Sequence, residues 1–125
     1  MLLGVLSSNA AAAWIQVSGN DVVIIYADRA TIRKSGNSVK MWVMDDFKDS
    51  RVSSTGKQYL SSKSLNEYDC KNEQRRTLFF TWHSGQMGNG NIVYSDDGVA
   101  SNWRPVAPGS AGATLWGIAC GKQGG

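Results

Sequence analysis

The hydrophobic positions of this chain fall into short, strand-like runs separated by polar turns. The run Asp21–Tyr26 is β-branched and apolar on both alternating faces, which is typical of a strand that is covered on both sides. Val39–Phe47 is the longest candidate, and within it Val39, Met41 and Val43 share one face. The predicted strands are Trp14–Ser18, Asp21–Tyr26, Thr31–Arg33, Val39–Phe47, Tyr59–Cys70, Arg76–His83 and Ile92–Tyr94.

The segments between these runs are short and rich in turn-forming residues. Predicted turns and loops are Gly19-Asn20, Lys34–Ser38, Asp49–Gly56, Lys71–Gln74 and a flexible hairpin loop at Gly85–Asn91. Short connections between consecutive strands favour an antiparallel meander. The pattern therefore predicts an α+β fold with a single antiparallel sheet of about six strands, to which the tail adds a helix.

The C-terminal tail is the only segment with helical periodicity. Pro108-Gly109 precedes Ser110, which is a good N-cap, and Gly121 fits the position just after a helix. Ala111 and Leu115 fall on one helical stripe with Ile118 or Ala119. A helix this short is not stable alone, so we expect it to pack on one face of the sheet.

The chain has two cysteines, Cys70 and Cys120. Their spacing matches no metal-ligand pattern, and a distant pair in a small domain indicates one long-range disulfide formed outside the cytoplasm. Cys120 is well placed to tether the predicted helix to the sheet near Cys70. A disulfide that closes a loop of about fifty residues lowers the entropy of the unfolded chain, which stabilises the fold by roughly 4 kcal/mol.

The N-terminus has the pattern of a secretory leader. A short apolar run at Leu2–Leu6 is followed by small residues up to Ala13, which suit a signal peptidase. A fortuitous apolar start is the alternative interpretation. We expect residues 1–13 to be a signal-peptide remnant or disordered leader, and residues 14–125 to form one domain.

Composition narrows the class of partner but does not identify it. Charged residues make up 18% of the chain and the formal net charge is +3. This mild excess permits binding to acidic polymers, whereas specific nucleic-acid binders usually concentrate more positive charge. No apolar segment reaches membrane-spanning length, so we expect no membrane span, and no motif predicts a cofactor.

No catalytic or metal-binding constellation is apparent. His83 is the only histidine, and the adjacent Ser84 is poorly placed to use it as a base. Asp45-Asp46 and Asp96-Asp97 are neighbours on predicted strands, so the members of each pair point to opposite faces. We therefore predict no catalytic residue and no metal site, although a carboxylate-based hydrolase stays as the third hypothesis.

Basic residues alternate along the chain with aromatic ones. One interpretation is a surface that binds an acidic polymer, glycan or protein, and the other is a solvated face over an aromatic core. The aromatic residues concerned are Tyr26, Trp42, Tyr59, Trp82 and Trp103. The candidate ligand-binding residues are Arg29, Arg33, Lys34, Arg75 and Arg76, with Lys40 in the same basic region.

The chain resembles the surface-adhesin protein E family over roughly Trp14 to Gly121. The more specific matching strings are Glu67-Tyr68-Asp69-Cys70 and the late Pro108-Gly109-Ser110 followed by Cys120. The more generic ones are Tyr26-Ala27-Asp28, Thr31–Gly36 and Val39–Phe47. This resemblance implies a single antiparallel sheet of about six strands with a C-terminal helix on its concave face, tethered by a Cys70–Cys120 disulfide.

The resemblance also implies a role. Members are bacterial envelope proteins, and the namesake is a dimeric outer-membrane adhesin for host matrix and plasma proteins. We therefore expect a non-enzymatic binding module, periplasmic or secreted or displayed on the outer membrane. Its expected partner is a protein or acidic glycan of the host matrix or cell envelope, and edge pairing predicts a homodimer. The alternative is a periplasmic binder of a small apolar ligand between sheet and helix.

Overall fold

The structure is a computed structural model that describes residues 13–97 and 101–121. The predicted leader, apart from Ala13, lies outside these residues. The described chain forms seven strands, one 3₁₀ turn and one α-helix. Their bounds are β1 Trp14–Gly19, β2 Val23–Ser35, β3 Ser38–Val52, β4 Gln58–Asp69, β5 Gln74–His83, the 3₁₀ turn Gln86–Gly88, β6 Ile92–Asp97, β7 Arg104–Pro105 and α1 Ala111–Cys120.

The sheet is an antiparallel meander, as the sequence predicts. Strands β1 to β6 lie side by side in chain order, and the two-residue β7 pairs with β5 beyond the reach of β6. Two predicted boundaries were wrong. Thr31–Arg33 is no separate strand but the end of β2, which passes through an irregularity between Asp28 and Arg33. Strand β3 also continues into the predicted loop as far as Val52, because it pairs again with β4 after a register shift.

Helix α1 packs on one face of the sheet, which we call the helix face. This face carries Val39, Met41 and Val43, as the alternation in β3 predicts. The opposite face carries Trp42 and Met44, so β3 contributes apolar side chains to both sides. The core under the helix consists of Ala27, Val39, Met41, Val43, Tyr68, Leu115, Trp116, Ala119 and Cys120.

The helix begins and ends where its capping residues predict. The Ser110 hydroxyl accepts a hydrogen bond from the Ala113 amide at 3.1 Å, which satisfies one free donor of the first turn. Gly121 ends the helix in the left-handed conformation with φ 68°, where a glycine costs least. The Cys70–Cys120 disulfide then joins the last turn to the end of β4, which confirms the predicted tether.

The loop after β5 folds back over the opposite face. The predicted hairpin loop Gly85–Asn91 contains the 3₁₀ turn, whose Met87 amide donates to Asp46 Oδ1 at 2.7 Å. The Gly88 amide donates to Ser61 Oγ at 2.8 Å, and that hydroxyl donates to the Gly85 carbonyl at 2.6 Å. These bonds fix the loop against β3 and β4, which its glycine-rich sequence does not indicate.

Candidate functional site

The helix face extends beyond α1, and the part that α1 does not cover in the described structure carries a continuous row of aromatic rings. We call this row the aromatic ridge; its members are Phe47, Tyr59, Phe80, Trp82 and Tyr94. The ridge crosses four adjacent strands, β3 to β6. Tyr94 is 40% exposed, and the other four rings are half-buried.

Strand register explains how the rings come together on this face. Phe80 lies opposite Ser64, which lies opposite the core residue Val43. Trp82 lies opposite both Ser62 and Tyr94, one step further along the same face. Since directly paired residues of neighbouring strands share a face, the alternation of β5 aligns Phe80 and Trp82 with the helix face.

The rings of the ridge contact one another with the geometry of aromatic pairs. Tyr59 and Trp82 are stacked with centroids 4.2 Å apart and planes 10° apart, and Trp82 contacts Tyr94 at 4.9 Å. Phe80 lies 5.8 Å from Trp82, and Phe47 meets Tyr59 edge-on at 5.9 Å. Mutual contact holds the rings in fixed orientations, so the ridge is a preorganised apolar surface with polar phenol edges.

Arginine and acidic side chains border the ridge. The Arg51 guanidinium lies 5.2 Å from the centroid of the Phe47 ring, within cation–π range. Asp96 pairs with Phe80 across β5 and β6 and therefore lies on the same face. An apolar centre with a charged border is the usual composition of a binding surface on a soluble domain.

The predicted basic residues do not form one patch. Arg75 and Arg76 are neighbours on β5, so they project to opposite faces. Arg29 and Lys34 are exposed, with Lys34 paired to Val39 on the helix face. Arg33 and Arg76, although distant in sequence, lie in one cross-strand row on the opposite face.

That row consists of three cations and one acid. It runs Arg33, Lys40, Glu67, Arg76 across four strands, and we call it the basic row. Arg76 bonds Glu67 at 2.7 Å and lies 4.3 Å above the Trp103 ring. Desolvation raises the pKa of Glu67, but hydrogen bonds from Ser38 and Arg76 and the charges of Arg76 and Lys40 leave it below its usual value.

A cavity of about 230 Å³ lies where the first turn of α1 meets the sheet. Asp45 and Arg75 line it without forming an ion pair, together with polar side chains of Ser64, Asn66 and Thr77. Burial raises the pKa of Asp45, and the Arg75 charge partly opposes that rise. A cavity with this lining suits polar groups or water better than the small apolar ligand of the alternative hypothesis.

The structure places an acid, a serine and the histidine in one row, a grouping that sequence reasoning missed. Asp46, Ser61 and His83 are directly paired across β3, β4 and β5. However, Ser61 lies between the other two, is 0% exposed, and its hydroxyl is already bonded to the 84–91 loop. A nucleophile must reach its substrate, so this row does not have the arrangement of a triad.

The acidic doublets are divided between the two faces, as strand alternation predicts. Asp45 faces the cavity beside α1, whereas Asp46 accepts from the Met87 amide on the opposite face. Within residues 13–97 and 101–121, no three His, Cys, Asp or Glu side chains are grouped closely enough to hold a metal ion. In the same part of the chain, no helix is long and apolar enough to cross a bilayer.

Comparison with known proteins finds a matching family and several similar solved structures. The family described as Surface-adhesin protein E matches residues 14–121. Two solved structures of Haemophilus influenzae protein E superpose with TM-scores of 0.70 and 0.68, at 12% and 13% sequence identity. The first alignment covers 92% of both chains, and the second covers 92% of this chain and 89% of the other.

A further structure, protein E from non-typeable Haemophilus influenzae, aligns with a TM-score of 0.60 at 14% identity. It covers 83% of this chain and 72% of that one. No protein from the curated set matches the chain significantly. At such low identity the structural likeness establishes the shared fold, while the family match covers the whole domain from β1 to the end of α1.

Proposed function

Because the chain belongs to the surface-adhesin protein E family, we propose that it is a non-enzymatic binding module that contacts a macromolecule through the aromatic ridge. The ridge is the observation that carries this proposal. Five mutually contacting rings lie on the uncovered part of the helix face, where they stabilise the core less than buried rings would. A contiguous, partly exposed aromatic surface on a small domain is characteristic of an interaction site.

The physics of binding favours such a surface. Tryptophan and tyrosine lose little side-chain entropy on binding and bring large apolar areas with a polar edge. Residues of this kind are enriched among the few hot spots of an interface, whose truncation costs about 2 kcal/mol or more. The ring contacts of the ridge fix its shape in advance, which lowers the entropy lost on association.

The proposed partner is a protein or acidic glycan of the host matrix or of the bacterial envelope. A family of surface adhesins supports such a partner, and the disulfide supports an address outside the cytoplasm, periplasmic, secreted or on the outer surface. Residues of the basic row lie on the other face, so an acidic partner could engage the domain independently of the ridge.

The test is retention of the full chain on immobilised partners. Purified extracellular-matrix proteins, heparin and a cell-envelope extract of the source bacterium are presented in parallel, at moderate salt. The ridge variant carries Tyr94→Ser and Trp82→Leu, and the matched aromatic control carries Trp103→Leu on the opposite face. We expect at least one component to retain the wild type and the control, and to bind the ridge variant at least ten-fold more weakly.

Circular dichroism and thermal unfolding show whether the ridge variant is folded. Retention of the single variant Tyr94→Ser is a second test of the ridge. Tyr94 is on an edge strand and is the most exposed ring of the ridge, so its substitution should disturb folding least. Equal retention of the wild type and both ridge variants by every component that binds the wild type would contradict the assignment of the ridge. Retention of the wild type by no component would contradict the binding function itself.

A further inference from the structure

A second cleft lies on the face opposite the helix, at the edge of the sheet formed by β1, β2 and β3. Trp14, Asp28 and Trp42 are directly paired across these strands, so the carboxylate lies between two indoles on one face. Their cleft has a volume of about 300 Å³ and is also lined by Thr31 and Lys63. The two tryptophan backbones are two strand spacings apart, about 10 Å, which leaves room for a small group between the rings.

The position of Asp28 is unusual for an acidic residue. It is only 5% exposed, and its carboxylate oxygens accept from the backbone amides of Ala13 at 3.3 Å and Ala30 at 3.1 Å. No Lys or Arg in the described part of the chain comes within ion-pair distance of Asp28. A nearly buried carboxylate therefore lies at the base of a cleft without a countercharge in contact.

The neighbouring hydroxyl does not supply the missing partner. Thr31 Oγ1 donates to the Asp28 carbonyl at 2.6 Å and accepts from the Trp42 amide at 3.0 Å. These bonds fix the irregularity in β2 and hold Asp28 and Trp42 in register. The backbone that carries Asp28 and Trp42 is thus held in place, and the Trp42 ring also meets Phe79 edge-on at 5.8 Å.

We propose that this cleft binds a quaternary or trimethylated ammonium group. Indole is the aromatic ring that attracts cations most strongly, and aromatic cages are the usual solution for methylated ammonium ligands. Such a cation is weakly hydrated, so it enters an apolar cleft at lower cost than a primary ammonium or a metal ion. Asp28 supplies the countercharge, whereas Lys63, which also lines the cleft, opposes the cation.

The site is independent of the aromatic ridge, because the two lie on opposite faces of the sheet. Its ligand could be a free small molecule such as choline or the headgroup of a phosphatidylcholine membrane, since both present the same trimethylammonium group. Failure of one proposal therefore leaves the other unaffected.

The experiment is an NMR titration of the full chain with choline chloride. The neutral isostere 3,3-dimethyl-1-butanol, which has the same shape without the charge, is titrated in parallel. We expect saturable shifts of the Trp14 and Trp42 indole N–H signals and NOEs from the choline methyl groups to both rings. The neutral alcohol should bind at least ten-fold more weakly, because it lacks the attraction to Asp28 and the ring faces.

Substitutions test whether the charge of Asp28 attracts the choline cation. Asp28→Asn should weaken choline binding at least ten-fold, while the exposed control Asp97→Asn leaves it unchanged. If Asp28→Asn does not fold, Lys63→Gln serves instead, and we expect it to strengthen choline binding several-fold. Equal binding of choline and its neutral isostere, or shifts at Trp82 and Trp103 in place of Trp14 and Trp42, would overturn the proposal.

Co-sedimentation with phosphatidylcholine vesicles distinguishes a membrane headgroup from a free small molecule as the source of the trimethylammonium group. Binding to these vesicles that free choline displaces assigns the membrane headgroup as the ligand. Choline binding without vesicle binding assigns a free small molecule. Absence of any choline-dependent shift at millimolar concentration rejects the site for both sources.

Discussion

His83 is a buried titratable residue whose environment differs clearly from that in an unfolded chain. Its ring is 5% exposed, Nε2 lies 2.7 Å from Thr81 Oγ1, and the buried Nδ1 has no hydrogen-bond partner. Protonation would place a second N–H donor and a positive charge at that position. Burial, together with the nearby charge of Lys63, therefore lowers the pKa of His83 below its usual value of 6.5.

We expect the free energy of unfolding to decrease as the pH falls below about 6.5. The unfolded chain then binds a proton that the native His83 resists, so the stabilisation present above the unfolded pKa is progressively lost. One proton contributes a slope of at most about 1.4 kcal/mol per pH unit. Urea unfolding between pH 7.5 and 5.5 measures this slope, and His83→Gln should remove it.

Two carboxylates with lowered pKa values, those of Asp69 and Glu67, titrate in a separate range. Hydrogen bonds from Asn72, as backbone amide and as side chain, lower the pKa of Asp69 below its usual 3.8, and the pKa of Glu67 is lowered from 4.5. Their contributions are lost only at more acidic pH. A stability curve that is flat between pH 7.5 and 5.5 in the wild type would contradict the burial of a neutral His83.

At the residue scale, the sequence predicted which face of the sheet a side chain occupies, because that depends on local alternation. It did not predict which side chains of different strands meet, because that depends on strand register. The faces of Asp45 and Asp46 followed from strand geometry alone. By contrast, the meeting of Asp46, Ser61 and His83 needs the pairing of three strands, and no spacing in the chain encodes it. The ridge members Phe47, Phe80 and Tyr94 were missed for the same reason.

Helix α1 depends on tertiary contacts for its stability. Its 10 residues include Gly112 and Gly117, and a helix of this length is unstable in isolation. Two contacts at the end of β4 hold it: the Cys70–Cys120 disulfide and the hydrogen bond from Trp116 Nε1 to the Asp69 carbonyl at 2.9 Å. The disulfide is therefore the main covalent constraint on the position of the helix.

Removing the disulfide should destabilise the domain by about 4 kcal/mol, because the bond closes a loop with a sequence separation of 50. The Cys70→Ser/Cys120→Ser double variant and the reduced wild type are compared with the oxidised wild type in urea. We also expect the NMR signal of the Trp116 indole N–H, which donates to the Asp69 carbonyl, to report a looser helix before the sheet unfolds. Unchanged unfolding midpoints in both forms would contradict the tether.

Element boundaries show which patterns were informative. The caps Ser110 and Gly121 placed α1 correctly because capping is a local interaction. The extension of β3 to Val52 was missed because the polar segment after Phe47 has no alternating pattern, and its pairing with β4 resumes only after a register shift. The two-residue β7 has no sequence signature, since Arg104 and Pro105 pair with β5 through tertiary contact alone.

The whole molecule presents two different surfaces, aromatic beyond the helix and basic on the other face. We expect the basic row to contribute to retention by acidic glycans. Arg33→Glu/Lys40→Glu should elute from heparin at clearly lower salt than the wild type, because three cations around one acid become one cation around three acids. Heparin chromatography over a salt gradient is the measurement.

The control carries the same change in net charge elsewhere. Lys48→Glu/Lys57→Glu alters two exposed lysines outside the basic row. Its elution should lie closer to that of the wild type. Equal shifts in the two variants would show that heparin responds to net charge and not to the basic row.

The open edge of the sheet bears on the predicted homodimer. Strand β6 is the last in the order, and among the described residues no strand pairs with its outer edge. Ile92, 59% exposed, and Tyr94 lie on this strand. We expect sedimentation velocity to show a concentration-dependent dimer that Ile92→Lys disrupts; a strict monomer at all concentrations would contradict edge pairing.

The central claim, that the aromatic ridge is the contact surface, is tested most directly by hydroxyl-radical footprinting. The full chain is oxidised alone and in complex with the matrix or envelope component that retains it. We predict that oxidation of Trp82 and Tyr94 falls several-fold in the complex while oxidation of Trp103, on the opposite face, is unchanged. Protection of Trp103 with unchanged oxidation of Trp82 and Tyr94 would contradict the claim.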